Sequence, residues 1–427
     1  MSTLIETVRG RRVWDSRGRP TVEAQVHLAD GSVGRAIAPA GASTGSGEAV
    51  DRRDGGSAFG GMDVRGAIAA IDGEIRAALR GVDACDQHGV DRRLIALDGT
   101  AAKARLGGNA TIAVSMAVAH AAAASRGMPL WQHLHSGPSR PALPLPEIQI
   151  FGGGAHAGGR IDLQDLMVVA IGAPDYPTAL DWTAEVYRAA GLWMAEHGRL
   201  QGVADEGGFW PAFDRNEQAL EALVRAIERA GLAPGEQVGI SIDVAASNFG
   251  RGGRYRLARE ARELDTAQMI ALLADWLRRY PIVSIEDPLA EDDLPGLAAF
   301  TREAGPRVQV VLDDAVVTDA ARIRSAAAAG AGNAALIKPN QIGTLTEAAE
   351  AARAARDAGF GTIVSARSGE TEDVTIVHLA VGWGIAQLKV GSFARSERMA
   401  KWNEGLRLAD DPRIGAALPP RSAFPWG

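Results

Sequence analysis

Residues 308–315, VQVVLDDA, and 334–341, AALIKPNQ, each run from a short apolar stretch straight into charge, at Asp313 and Asp314 and at Lys338. The same rhythm recurs through the second part of the chain. VGISIDVAAS (238–247) reaches Asp243, PIVSIEDP (281–288) reaches Glu286 and Asp287, GTIVSARSGET (361–371) reaches Arg367, and IAQLKVGS (385–392) reaches Lys389. Alanine- and arginine-rich helical patterns such as ALEALVRAIERAG (219–231) and TEAAEAARAARDAG (346–359) lie between most of them. Apolar runs with no polar alternation are strands buried on both faces, and their alternation with helices predicts a parallel sheet. A doubly wound sheet and a closed barrel both satisfy that alternation. The charged groups favour the barrel, because in a (β/α)8 fold the carboxyl ends of different strands each contribute one functional residue. No G-x-G-x-x-G opens a helix and no G-K-[ST] follows a glycine-rich turn, which weighs against a dinucleotide fold and excludes a P-loop.

Working outward, the first part is mixed. RPTVEAQVHLADGSVGRAIA (19–38) alternates apolar and polar residues about an Asp-Gly pair, a hairpin signal. Helical patterns follow near 63–80 and 109–126. HSGPSRPALPLP (135–146) is proline-rich and aperiodic, and the domain boundary is placed there: a cap over 1–135 and a barrel over 136–427.

The net charge of −7 argues against nucleic acid as a partner, since neutralising phosphates needs a basic surface. The one cysteine, Cys85, excludes an intramolecular disulfide and a thiolate metal cluster. TIAVSMAVAHAAAA (111–124) is too short to span a bilayer and reads as a core helix. The start, MSTLIETVRGRR, shows no secretory signal, and a cytoplasmic protein with no membrane partner is expected.

Asp243, Glu286 and Asp313 would converge at a barrel mouth. Any one of them alone reads better as a helix cap or an arginine partner. Three together repel unless a cation lies among them, and oxygen ligands without cysteine favour Mg²⁺. Lys338 and Lys389 add ammonium groups to the same interior. A neighbouring cation would depress a lysine pKa and fit it to remove a carbon-bound proton. Two glycine-rich loops, VADEGGFWP (203–211) with Glu206 and FGGGAHAGGRIDLQDLM (151–167) with His156, Gln164 and Asp165, read as mobile covers over a substrate. The second loop taken by itself would be a solvent-exposed linker.

WDSRGRPTVE (14–23), GASTG (41–45), LDGT (97–100), DEGGF (205–209), DVAAS (243–247), SIEDPLAEDD (284–293), LDDAVVT (312–318), IKPNQIGTLTEA (337–348), RSGETED (367–373) and ARSERMAKWN (394–403) resemble segments of the enolase family, in the same order and across nearly the whole chain. The resemblance implies an α/β protein with an N-terminal α+β cap and a modified TIM barrel whose first turns depart from strict βα repetition. It implies one or two Mg²⁺ ions, a small phosphorylated carboxylate as substrate, and a homodimer or larger ring. Position by position, Asp243, Glu286 and Asp313 resemble the ligands of the first magnesium and Ser43 that of a second. Lys338 resembles the base that removes the C2 proton, and Lys389 the residue that holds the substrate carboxylate. Arg367 and Ser368 resemble a phosphate clamp, His156 a lid residue reaching the phosphoryl group, Glu206 the acid assisting loss of the C3 hydroxyl, and Gln164 a polar residue on the metal side.

The chain also departs from the family. Ala366 stands where enolases have histidine, Asp165 where they have glutamate, Ala40 where they have serine, and Gly152 where they have asparagine. The lid reads AHAGG, with Ala155, Gly158 and Gly159. The changes at the lid and at Ala366 fall where the leaving hydroxyl and the phosphoryl group would be handled, whereas the acids and both lysines are kept. The pattern resembles the family's carboxyphosphonoenolpyruvate synthases, which join phosphonoformate, as a nucleotide-activated ester, to a three-carbon unit. A second phosphorus-containing group beside Ala366 is therefore expected. A divergent phosphopyruvate hydratase and a non-catalytic enolase-like binding protein are the competing expectations.

Overall fold

The structure, a computed structural model, describes residues 2–135, 137 and 140–427. The boundary placed between 135 and 136 abuts Ser136, which lies outside the described residues. In the cap, β1 (Ile5–Trp14), β2 (Pro20–Leu28) and β3 (Val33–Ile37) form an antiparallel meander. The predicted hairpin is β2–β3, with Ala24 opposite Ala36 and Gly31 turning at φ 87°. The predicted helix over 63–80 spans 65–79, with a π-helical stretch at Ile71–Ile75.

The alanine-rich core helix runs Gly108–Ser125 and is buried on nearly every side. One face lies on the cap sheet, where a Cβ at Gly34 would collide with the Ala117 carbonyl oxygen and the Ala121 nitrogen. Small residues on both sides let helix and sheet approach this closely. The other face meets the barrel: the Leu345 amide donates to Ser115 Oγ at 3.0 Å. Asp91 accepts from Ser115 Oγ (2.7 Å), from the Thr346 amide (2.9 Å) and from Thr346 Oγ1 (2.6 Å). An apolar helix is thus a layer between two domains. No described helix is long and apolar enough to cross a membrane.

The second part closes into an eight-stranded barrel built from β4 (Leu145–Gly152), β5 (Asp165–Val169), β6 (Gly239–Asp243), β10 (Ile282–Glu286), β11 (Gln309–Leu312), β12 (Ala334–Ile337), β13 (Gly361–Ser365) and β14 (Gln387–Ser392). A small antiparallel sheet of β7 (Gly250–Arg251), β8 (Arg254–Leu257) and β9 (Arg262–Asp265) is inserted after β6. The parallel sheet read from the apolar runs is interrupted at one strand, within the first turns where departure from strict βα repetition is expected. β5 is antiparallel to both β4 and β6. The connection from β4 to β5 is the glycine-rich loop with only one 3₁₀ turn, Gly154–Ala157, and no crossover helix carries the chain back. Two helices, Tyr176–Glu196 and Asn216–Arg229, then separate β5 from β6.

The barrel interior is mixed. Val311, Ala334, Leu336 and Ile363 form an apolar cluster. Hydrogen bonds also join strands that are not neighbours and so cross the interior: Ser241 Oγ to Glu147, and Gln309 Nε2 to Gln387 Oε1 at 2.7 Å, the second spanning β12 and β13. Buried polar groups thus share the interior with the apolar cluster.

Gly34→Ala is expected to force β3 away from the Gly108–Ser125 helix at a cost of about 1–3 kcal/mol, seen as a lower urea midpoint with an unchanged slope.

Candidate active site

Six of the predicted groups reach one mouth of the barrel, five of them placed there at or just beyond strand ends. Asp243 and Glu286 are the last residues of β6 and β10 and are paired in register. Asp313 and Lys338 immediately follow β11 and β12, and Arg367 lies two residues beyond β13. Lys389 differs from expectation: it is the third residue of a strand that continues to Ser392, deeper in the barrel. A register shift between Lys389 and Gly391 sits just above it, the kind of irregularity that re-aims side chains.

Lys389 Nζ lies 2.6 Å from Glu286 Oε2, 3.1 Å from Asp243 Oδ2 and 3.6 Å from Asp165 Oδ2. Lys338 pairs with Asp313, whose other oxygen accepts from Gln341 Nε2 at 2.9 Å. Burial pulls both ammonium groups down, but the carboxylates outweigh it. Asp313 and Glu286 hold Lys338 above its ordinary value, and Asp243, Glu286 and Asp165 hold Lys389 well above. The expected depression of the lysine therefore does not arise from the chain's own groups, whose net charge around each amine is negative.

The predicted trio of acids shares this cleft without forming a compact ligand set. Among the described residues, the groups whose ligand atoms lie close enough together to share an ion are Asp287–Asp313–Asp314 and His156–Asp165–Glu206. Asp287 accepts from the Asp313 and Asp314 amides, both at 2.9 Å, and braces the turn after β11. Burial, followed by the charge of Asp313, pushes Asp314 up to about 7. Burial and Asp243 raise Glu286 well above the usual carboxylate range. Asp243 Oδ1 and Glu286 Oε1 are buried with no hydrogen-bond partner. Two unpartnered carboxylate oxygens on paired strand ends, among mutually repelling acids, fit a hard divalent cation.

The second loop is not a solvent-exposed linker. His156, Ala157, Ile161, Leu163, Gln164 and Asp165 are all buried. His156 Nδ1 meets Asp165 Oδ1 at 2.9 Å, and its Nε2 lies 3.8 Å from Glu206 Oε1. Burial disfavours the imidazolium, but Asp165 and Glu206 overcome that and raise His156 from 6.5 to about 9. Asp165 moves down: His156 and Lys389 outweigh its burial, and Gln149 Nε2 donates to it. Gln164 Nε2 donates to Asp243 Oδ2 at 3.1 Å, and Asn248 links it to Ser43 by bonds of 3.2 and 3.1 Å. Gly152 faces a tight contact, since a Cβ there would lie 2.7 Å from Ala204 Cβ.

Arg367 lines the cleft, but its fork is engaged by the cap. Nη1 donates to Glu48 Oε2 (3.0 Å) and Asn340 Oδ1 (3.2 Å), and Nη2 to the Ser43 carbonyl (2.9 Å) and Glu48 Oε1 (3.2 Å). Ser368 Oγ accepts from the Ala42 amide at 2.6 Å and from Arg17 Nη1 at 3.2 Å. Both residues of the expected clamp thus hold the GASTG loop against the barrel. Ala366, buried, donates its amide to the Lys389 carbonyl at 2.9 Å and turns a methyl group to the cleft wall. Sequence reading missed Glu48, Asn248 and Asn340. Glu48 lies in a loop, Asn248 in a 3₁₀ turn and Asn340 in a short helix; the partner of each lies well away in the chain, and only the flanking motifs signalled it.

Two family models cover the chain: the enolase N-terminal domain matches residues 5–134, and the enolase C-terminal TIM barrel domain matches 140–418. The chain belongs to the enolase family. The cap-and-barrel architecture and the antiparallel β5 agree with that membership. As in enolases generally, a small phosphorylated carboxylate is the class of substrate such a site would take, and its acids could hold a metal ion.

The His156 proton contributes stability because its folded value exceeds the unfolded one. In metal-free protein that contribution is full below about pH 6.5 and lost as pH rises through about 9. Comparing urea unfolding of wild type and His156→Gln from pH 6 to 10 should show a gap of up to about 3 kcal/mol that closes with rising pH.

Proposed function

We propose that the chain is a Mg²⁺-dependent enolase-type enzyme in which Lys338 removes the proton next to the carboxylate of a 2-phosphoglycerate-like substrate. In this reading an oxygen of the phosphorylated three-carbon unit then attacks the phosphorus of nucleotide-activated phosphonoformate, forming an O–P bond as the bond to the nucleoside monophosphate breaks and that nucleotide leaves, as in a carboxyphosphonoenolpyruvate synthase. The observation that carries the chemistry is the pairing of Lys338 with Asp313, beside Lys389 set between Asp243 and Glu286. Asp243, Glu286 and Asp313 would hold the metal, with Ser43 for a second ion, and the bound charge would stabilise the ene-diolate that follows proton loss. With Asp313 so engaged, Lys338 would be freed from its pairing and available as a base. Lys389 then binds the substrate carboxylate. His156, held cationic by Asp165 and Glu206, faces the phosphoryl group, and Glu206 protonates a leaving hydroxyl. Gln164 orients Asp243.

Ala366 supports the second substrate. A methyl group at the cleft wall leaves room where a histidine would project, and the glycines of the lid carry no side chains over it. Arg367 and Ser368 contact the phosphorylated substrate when Glu48 yields the fork. The reading extends to a cap of 1–135 and a barrel of 136–427, and to a cytoplasmic homodimer or larger ring.

Phosphorus-31 NMR with Mg²⁺ and 2-phosphoglycerate, with and without activated phosphonoformate, tests this directly. A new resonance that needs both substrates is expected. Formation of phosphoenolpyruvate alone, at full efficiency, would identify a hydratase instead, and no turnover at all would favour a binding protein. Lys338→Ala should lower turnover by roughly 10²–10⁴-fold. Ala366→His should suppress the two-substrate product while leaving dehydration intact or improved.

A further inference from the structure

The helix Ser396–Ala409 turns one buried, hydrogen-bonding face toward the cleft. Arg398, Lys401 and Trp402, spaced to share that face, are all 0% exposed. Each donates to a backbone carbonyl of a loop that carries site residues. Lys401 Nζ reaches the Thr371 carbonyl at 2.8 Å and Glu370 at 2.9 Å, and Trp402 Nε1 reaches the Ser392 carbonyl at 3.1 Å.

Arg398 does more than either neighbour. Its Nη1 donates to the carbonyls of Arg367 (2.7 Å) and Val390 (2.8 Å), and Nη2 to that of Ser368 (2.5 Å). Nη1 also lies 4.0 Å from Glu206 Oε1. A single planar group therefore spans the Arg367–Ser368 turn, the strand residue after Lys389, and the acid of the DEGGF loop. The path for its stem is built in. Gly391 adopts φ 115°, and a Cβ there would lie 3.0 Å from Arg398 Cδ and 3.1 Å from Glu206 Cβ. A lysine could reach one of these carbonyls but not hold all three, because only the guanidinium presents several donors in a rigid fork.

We propose that Arg398 is a positioning residue that sets the Arg367–Ser368 turn, Lys389 and Glu206 relative to one another. The proposal rests on reading this cleft as the active site. It touches no substrate itself, and its effect passes through the backbone it holds.

The test uses Arg398→Lys and Arg398→Gln in the full chain, with activity normalised to the folded fraction from circular dichroism. Hydrogen exchange needs no substrate. The amide of Ala42, bonded to Ser368, and the Arg367 amide, bonded to Glu370, should exchange faster in the variants, while β11 and β12 amides are unchanged. With Mg²⁺ and 2-phosphoglycerate, kcat/KM for exchange of the C2 hydrogen should fall by roughly 10²-fold, with Lys partly rescuing relative to Gln. Trp402→Phe should lower the melting temperature and leave KM unchanged. If both variants melt earlier yet keep wild-type kcat/KM and wild-type exchange at Ala42 and Arg367, or if neither folds, Arg398 is merely structural and the proposal falls. If the wild-type chain does not exchange that hydrogen, the reading of the reaction fails separately and the amide pattern decides the positioning role.

Discussion

The buried ammonium of Lys389 is the constraint on which the site depends. It sits among Asp165, Asp243 and Glu286, all nearly excluded from water. A lone charge there would be prohibitively costly, and so would the acids without a counterion. Each therefore requires the others, and the strands that carry them must close into a barrel for the requirement to be met. The same logic applies one strand further at Lys338 and Asp313. More carboxylates than amines gather at this mouth, so the chain's own cations leave oxygens unpartnered. Such a surplus could hold a metal ion.

The cap takes part in the same balance. Glu48, from the loop after β3, closes on Arg367, and the Ala42 amide closes on Ser368. Residues expected to face an anion are thus also the fastening for the cap loop. In the proposed reading an anionic substrate and the loop would compete for the same guanidinium, which would couple binding at the cleft to the seating of the cap. The Gly108–Ser125 helix supplies the rigid side of that contact, because both of its faces are packed. Ala366 stands apart from this network of charge. Its backbone belongs to the site through the Lys389 carbonyl, while its side chain only shapes the wall.

Much of this was legible along the chain. Unbroken apolar runs ending in charge identified six of the eight barrel strands, but not β4 and β5, and the glycine-rich loop of 151–167 was visible as a special connection. Its consequence, a reversed β5, was not read from the residues themselves, because a strand buried on both faces has the same composition in either direction. The loop's burial was also hidden. Glycine and alanine are compatible with exposure, and only the packing of Ile161 and Leu163 draws His156 inward. Lys389 read as a strand end because a charge after apolar residues usually marks one, whereas here the strand continues to Ser392 and the ammonium is held by buried carboxylates.

The sequence by itself determined the cap hairpin and six barrel strands, the chemical groups those strands carry, and the family to which the order of motifs belongs. These follow from local periodicity and residue type, which no distant contact alters. The tertiary structure alone decided which acids each lysine pairs with, that Glu48 holds Arg367, and that Arg398 ties together three separated segments. Those pairings join residues far apart in sequence, and they are selected by the low dielectric of the closed barrel, where every charge and carbonyl must find a partner.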